Sequence, residues 1–468
     1  MTSNKSLLVI ALLLAAVAGL SAWSITDTYF GNRIGAQDAR SYAMGGTGIF
    51  EDLRPFGIAA NPANLTLLDK KLGLGGSLVI NRNEDNRAVP LYNSFDNYID
   101  DAVYASNINA YDNFAGAGFG SAWLGRVKLG MGAYYQPLLS FNGNYLEEIR
   151  NNRNTDNDGY PEKIAVNSIE NEGLLNQVSG VLSLGTVFGD YLDVNLGLDY
   201  GYLRGELRNS KTIRWTDWAT NTVGEGVLPD YTEIADLTLD GFRFKAGTSI
   251  RINRNFGIAA TYTPKATLDR TGSATIQKDA YLNNDAIDTL TPISEEYILP
   301  MELRLGLNYQ PRNIMRTWFN IEAEYVQFSD VHQRYDDLYN LYAGVEHHVV
   351  NRLPLRLGFQ ATSSYLRVVE SDGEIIAKQV LTPMITGGSS IPLKDNLFLD
   401  LGFGYSWREY EALDMFGDSY YNDKVYTGNS SYQLWPNQYI VLADRGWENP
   451  DKVRENNISI RTTLSFTW

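Results

Sequence analysis

Met301-Glu302-Leu303-Arg304-Leu305-Gly306-Leu307-Asn308-Tyr309-Gln310 carries a large apolar side chain at every odd position and a polar residue or Gly at every even one. Successive side chains of a strand point to opposite faces, so this stretch has one apolar and one polar face. The same separation runs through 192–202, where Leu192, Val194, Leu196, Leu198, Tyr200 and Tyr202 oppose Asp193, Asn195, Gly197, Asp199 and Gly201. It returns at 397–407, where Leu397, Leu399, Leu401, Phe403, Tyr405 and Trp407 oppose a face containing Asp400, Gly402, Gly404 and Ser406. Stripes of roughly ten residues exceed the ~5–6 residues of a strand in a soluble sandwich and match what a tilted strand needs to cross a bilayer. Aromatic residues gather at their ends, where an interfacial girdle would lie.

Working outward from these stripes, the alternation predicts strands at 71–81, 112–123, 126–140, 172–187, 191–208, 233–252, 256–275, 296–310, 316–329, 335–349, 353–369, 375–390, 396–411 and 456–468. That is about fourteen strands, an even number, as a closed antiparallel bacterial barrel requires. Tight turns at Leu124-Gly125, Phe188-Gly189-Asp190, Asn253-Arg254-Asn255, 311–315 and Lys394-Asp395 alternate with long polar stretches at 82–111, 141–171, 209–232, 276–295 and 412–455. Short turns on the periplasmic side and long loops outside give the polarity of an outer-membrane barrel. The fold class read from sequence is therefore all-β: a transmembrane antiparallel β-barrel in the bacterial outer membrane.

Composition narrows the function. The 468 residues include 39 basic and 55 acidic side chains, a net charge of −16, and no cysteine. A disulfide framework, a thiolate metal site and a cysteine nucleophile are excluded. Nucleic acid is not an expected partner, because counterion release needs clustered Lys and Arg. Lys5, the apolar run Leu7 to Leu20 and the small residues Ser21 and Ala22 form the layout of a signal peptide over 1–22. Mean hydropathy is −0.26, so a hydropathy scan alone misses the strands.

Residues 23–70 lack clean alternation, yet carry Tyr29, Phe30, Ile34, Tyr42, Met44, Ile49, Phe50, Phe56 and Ile58. So many large apolar residues suit a plug folded into the lumen of a barrel formed by 71–468 better than a disordered tail. Within this segment, Gly35-Ala36-Gln37-Asp38-Ala39-Arg40-Ser41-Tyr42-Ala43-Met44-Gly45-Gly46-Thr47-Gly48, followed by Asn61-Pro62-Ala63, resembles the N-terminal hatch of the FadL family. The resemblance covers roughly 34–68 and implies a fourteen-stranded barrel plugged by its N-terminus. It implies passive uptake of hydrophobic small molecules such as long-chain fatty acids, gated by the hatch. It also admits a PorV-like role, in which the partner is a secreted protein. In the transporters it resembles, a kink in the third strand opens the wall, and here Pro137 stands late in that strand. A proline cannot donate to the ladder, so Pro137 is the candidate gate. Pro264 has a similar place in the seventh strand.

By alternation the lumen face carries Lys128, Arg243, Lys245, Arg251, Arg304, Arg356, Arg408 and Arg461 against Asp193, Asp199, Glu302, Glu322, Glu324 and Asp400. The near balance of sign suggests a paired network, with Arg243 and Lys245 the candidate ligand contacts. The loop containing Asn154, Asp156, Asp158, Gly159 and Glu162 begins like a calcium loop but has Ala165 at the twelfth position, so a solvated acidic loop competes with a calcium site. The other loops, rich in Asn, Asp and Tyr, suit contact with lipopolysaccharide and outer-membrane lipids. Gly116, Gly118 and Gly120 are expected to make a smooth inward face beside the hatch. The chain does not read as an enzyme: its histidines are His332, His347 and His348, and the last two point to opposite faces of a strand with no evident nucleophile nearby.

Overall fold

The computed structural model describes residues 30–468 except 52, 69, 93–94, 96, 151–161, 190–191, 224–229, 281–284, 312–315, 332–334, 350–352, 370–374, 413–414, 417–430, 434–440 and 444–450. The segment 1–22 and the calcium-like positions Asn154, Asp156 and Asp158 lie outside the described residues. Fourteen antiparallel strands form the wall: β1 (Leu72–Tyr92), β2 (Tyr98–Leu124), β3 (Val127–Ser140, continued by Gly143–Arg150), β4 (Lys163–Phe188), β5 (Leu192–Trp215), β6 (Tyr231–Asn253), β7 (Phe256–Thr263, continued by Ala266–Lys278), β8 (Ile287–Leu299, continued by Met301–Tyr309), β9 (Thr317–Gln327), β10 (Leu338–Val349), β11 (Leu353–Val369), β12 (Ile375–Lys394), β13 (Leu397–Ala412) and β14 (Asp451–Thr467). Each pairs with its neighbours in sequence, and β1 pairs with β14 from Gly73↔Thr467 to Ala88↔Lys452, which closes the barrel. Closure removes the free edges that a sheet would otherwise expose to lipid.

The apolar stripes face outward. Leu305 and Leu307 are about half exposed, while Asn308 between β7 and β9 is 4% exposed. Among the described residues no helix is long and apolar enough to cross a membrane.

Two features differ from the sequence reading. Much of 82–111, 141–171 and 276–295, read as loop, is strand: β1, β2, β3 and β8 run far past their apolar stripes. Alternating hydrophobicity requires lipid on one side. Above the bilayer both faces meet water, as at Ile287–Ser294, where seven of the eight residues are exposed, so the contrast vanishes while the ladder continues. The second difference is at Gly116, Gly118 and Gly120. These share the outward face with Phe114, while Ala115, Ala117 and Phe119 point inward and are buried. The inward alanines and Phe119 have the apolar partners, Phe56, Ile58, Leu65 and Leu68 of the plug.

Residues 30–68 fold within the lumen as short helices α1 (Ala39–Ala43), α2 (Gly57–Ala60) and α3 (Asn64–Leu67), joined by tight turns. Asp38 caps α1 by accepting from the Ser41 amide at 2.8 Å. The wall makes room for this body with lumen-facing glycines. A Cβ at Gly130 would strike Leu65, at Gly197 the Pro62 backbone, at Gly247 the Asn61 side chain, at Gly344 the Met44 backbone and at Gly358 the Gly45 backbone. In a barrel of this width, side chains from all strands would compete with a plug for the same space.

Candidate functional site

The plug is held by charge. Arg40 on α1 donates to Glu346 of β10 at 2.9 Å and to Glu51 within the plug. Glu346 and Asp400 also flank Arg356, at 2.6 and 3.0 Å, and Arg54 of the plug reaches Asp400 at 2.7 Å. Glu322 of β9 accepts from the Gly48 and Ile49 amides at 2.7 and 3.1 Å. Nearly all of these groups are buried, and each carboxylate has at least two donors, as buried charge demands. The sequence reading listed Glu322, Asp400 and Arg356 of the wall but did not include Glu346 in the lumen set. The plug half, Arg33, Arg40 and Arg54, lay in a segment without periodicity and gave no signal of which way it pointed.

Asn61, Pro62 and Ala63 form a strut at the bottom of the plug. The Asn61 amide donates to the Ile49 carbonyl at 2.8 Å, the Thr248 carbonyl at 3.1 Å and the Ser249 hydroxyl at 3.0 Å, and its Oδ1 accepts from the Ala63 amide at 3.0 Å. Pro62 packs against Gly197 and Gly247. This side chain thus ties β6 to two separate turns of the plug.

Above the plug the wall parts. The β2–β3 ladder runs from Leu124↔Val127 to Gly116↔Tyr135 and stops there, while β3 continues along β4 with a register shift between Pro137 and Leu139. Farther out, side chains bridge the two strands: Asn109 reaches the Asn144 carbonyl at 2.7 Å, and Asn107 exchanges two bonds with Leu146 at 3.2 and 3.0 Å. Between these limits the free edge of β3 is taken by the first residues of the plug. Asn32 and Arg33 pair with Ser140 and Leu139, the Ile34 amide donates to the Leu138 carbonyl at 3.2 Å, and Gln37 donates to the Pro137 carbonyl at 3.0 Å. At Pro264 the outcome differs. β7 is interrupted there, opposite Pro300 of β8, but the ladders to β6 and β8 both resume beyond it, so Pro264 marks a bulge in an intact wall.

The arm Phe30–Gln37 separates this gap from a cavity of about 330 Å³ in the lumen, whose lining includes Ile34, Pro137, Tyr297, Leu299, Val326 and Met384 beside polar groups. Mixed apolar lining with a few polar groups is the make-up of a small-molecule site. At its outer end Phe30 packs edge-on to Phe328 and Tyr335, with ring centres 5.3 and 5.7 Å away. Arg33 pairs with Glu324 at 2.9 Å and Glu302 at 3.2 Å. Its side chain is partly exposed, and desolvation inside the barrel, which alone would lower its pKa, is outweighed by those two carboxylates, which hold the guanidinium charged well above its ordinary range.

Arg243 and Lys245 both line the cavity, and both have protein partners. Arg243 meets Glu302 at 2.6 Å, and the Lys245 ammonium donates to the Ala59 carbonyl at 2.8 Å. Lys245 thereby ties β6 to the plug, whereas Arg243 is paired within the wall. Glu162 stands immediately before β4, and among the described residues no group of three His, Asp or Glu side chains could hold a metal. His347 contacts Thr317 at 2.9 Å and His348 contacts Glu346 at 3.3 Å, on opposite faces of β10.

A closed fourteen-stranded barrel with a folded plug and an interrupted wall has counterparts among solved structures. The chain shares the FadL-type fold. A FadL homologue from Pseudomonas aeruginosa superposes with a TM-score of 0.60 at 11% identity, over 93% of this chain and 99% of that one. The toluene transporter TodX of Pseudomonas putida gives 0.55 at 14% identity, over 93% and 99%. The toluene transporter TbuX of Ralstonia pickettii gives 0.52 at 16%, over 94% and 100%. At these identities the likeness is one of fold. No family model and no curated protein sequence matches the chain.

Proposed function

We propose that this chain is an outer-membrane channel for passive uptake of hydrophobic small molecules, including long-chain fatty acids, with lateral release through the wall at Pro137. The observation that carries the reading is the lost β2–β3 ladder beside Pro137, patched by three plug residues instead of by a neighbouring strand. A water-filled pore has no use for a wall that opens sideways, whereas an apolar ligand gains free energy by moving from an apolar cavity directly into acyl chains. The arm Asn32–Ile34 is the gate's moving part in this reading, and the body of the plug, fixed by Arg40, Arg54 and Asn61, is its anchor. The fold neighbours titled as toluene transporters support a hydrophobic cargo.

The test is uptake of a radiolabelled fatty acid and of toluene by cells whose only such channel is this protein. Pro137→Val, which restores a ladder donor, is expected to slow uptake of both several-fold with the barrel intact on heat-modifiability gels. Wild-type uptake by Pro137→Val would refute lateral release at this position.

A further inference from the structure

The chain as a whole is acidic, with a net charge of −16, yet its short-turn end, periplasmic in an outer-membrane barrel, is basic. Among the described residues, the segment just ahead of β1 and the short turns carry Lys70, Lys71, Arg126, Arg254, Arg316 and, at the end of β12, Lys394. All of these are exposed, and they face one carboxylate side chain, Asp395. The outer end of the barrel is arranged differently. Exposed arginines there are answered by carboxylates: Arg204 by Glu206 at 3.1 Å, Arg208 by Asp236 at 3.5 Å, Arg214 by Asp230 at 2.9 Å and Arg454 by Glu409 at 2.7 Å. Lys70, Lys71, Arg126, Arg316 and Lys394 form no ion pair among the described residues.

These cations stand at the border of the lipid-facing belt. Lys71 adjoins Leu72, Lys394 adjoins Leu393, and Arg126 and Arg254 lie two residues from Leu124 and Ile252, all four of them exposed apolar side chains. Two residues of strand advance about 7 Å, so the charges fall in the head-group layer rather than in open water. Trp123 and Trp468 are exposed at the same level, and the Lys71 ammonium lies 5.9 Å from the centre of the Trp468 ring. The cations are also spread round the circumference, at the start of β1 and in the β2–β3, β6–β7, β8–β9 and β12–β13 turns. A docked protein would meet one patch of such a ring, whereas lipid meets all of it.

We infer that the periplasmic rim gathers a shell of anionic phospholipid, phosphatidylglycerol, whose phosphates meet the unpaired cations while its acyl chains cover the apolar belt. Basic side chains at a membrane surface attract such lipids, and here the attraction is not spent on protein carboxylates. The ring holds the barrel's periplasmic end at the head-group level whatever the lumen carries.

The test reconstitutes the full-length protein in phosphatidylethanolamine vesicles with a trace of spin-labelled phosphatidylglycerol or spin-labelled phosphatidylethanolamine, and reads the motionally restricted fraction of each label by electron paramagnetic resonance. At low salt, wild type is expected to hold phosphatidylglycerol about twofold or more over phosphatidylethanolamine. The preference should fade at about 1 M NaCl, where the screening length is about 3 Å. A variant with Lys70→Glu, Lys71→Glu, Arg126→Glu and Lys394→Glu should lose it. A second variant with Arg204→Glu, Arg208→Glu, Arg214→Glu and Arg454→Glu makes the same change of net charge at the other end and should keep it. Heat-modifiability gels establish that both barrels are folded. A preference that survives in the folded rim variant, or that disappears equally in both variants, would overturn the assignment to the rim. Equal association of the two labels with wild type would overturn the lipid shell and leave the ring to an acidic periplasmic protein.

Discussion

At the scale of single residues, the lumen is organised by what the wall leaves out. Gly358 faces the plug so closely that a Cβ would overlap the Gly45 nitrogen and the Met44 carbonyl carbon, both backbone and unable to swing aside. Gly358→Val is therefore expected to displace the α1 turn and cost about 1–3 kcal/mol or more. Gly180, on the outer face of β4 with nothing within 4 Å, should accept the same change without effect. Limited trypsin digestion of folded protein checks the pair: only Gly358→Val should expose plug sites such as Arg40. Asn61→Ala removes a side-chain NH2 shared among three acceptors and leaves the Thr248 and Ile49 carbonyls short of a partner, a loss of about 2 kcal/mol for the plug. It should show the same digestion pattern. Asn61, Pro62 and Ala63 were visible in the sequence as a motif, but their bonding was not, because their partners Thr248 and Ser249 lie nearly two hundred residues away.

At the scale of elements, the connection between β9 and β10 closes over the aromatic group of Phe30, Phe328, Tyr335 and Tyr365. Asp337 fastens it, accepting from the Ser329 amide at 3.1 Å, the Ser329 hydroxyl at 2.8 Å and the Tyr325 hydroxyl at 2.5 Å. Slight desolvation would raise its pKa, but those three donors outweigh it and hold the carboxyl below its ordinary range. A lowered folded-state pKa gives stability that is complete above the unfolded value, near 4, and is lost as the pH falls through the folded value. Hydrogen exchange of 328–331 should therefore accelerate as the pH is taken below about 4, after correction for the intrinsic rate. Asp337→Asn should show the faster exchange already at neutral pH. Exchange in the variant that matches wild type at pH 7 would contradict the role of the carboxylate.

The strands themselves were legible from alternation where lipid wets one face, as at Met301–Tyr309 and Leu397–Trp407. They were not legible at 287–294, where water wets both, or at 82–88, where the buried inward face is itself polar, with Asn83, Asp85 and Arg87. Pro137 and Pro264 look alike in sequence. Only the ladders distinguish them, since one strand loses a neighbour and the other keeps both.

At the scale of the whole molecule, plug and barrel are one electrostatic object. The plug supplies Arg33 to Glu324, Arg40 to Glu346 and Arg54 to Asp400, and amides to Glu322. Deleting 30–68 would strip these partners from four lumen carboxylates at once. The expected product is an open pore that favours cations, because Glu346 and Asp400 are left sharing Arg356 and Glu324 loses Arg33, and a low-dielectric channel with carboxylates in excess there concentrates cations. Single-channel recording in planar bilayers, with a salt gradient to give the reversal potential, measures this directly. An anion-selective or closed pore would contradict the assignment of plug arginines to wall carboxylates.

The sequence by itself determined the wall: a period of two over about ten residues, repeated fourteen times, permits a closed barrel and little else. It also marked the plug, since apolar residues without periodicity need an interior. Tertiary structure alone decided where the wall parts and which cations are spent on the plug. The reason is physical. Alternation is set by neighbours along the chain and is written locally, whereas pairing depends on register and shear around the barrel, which bring Arg461 to Ile34 and Arg40 to Glu346 across hundreds of residues.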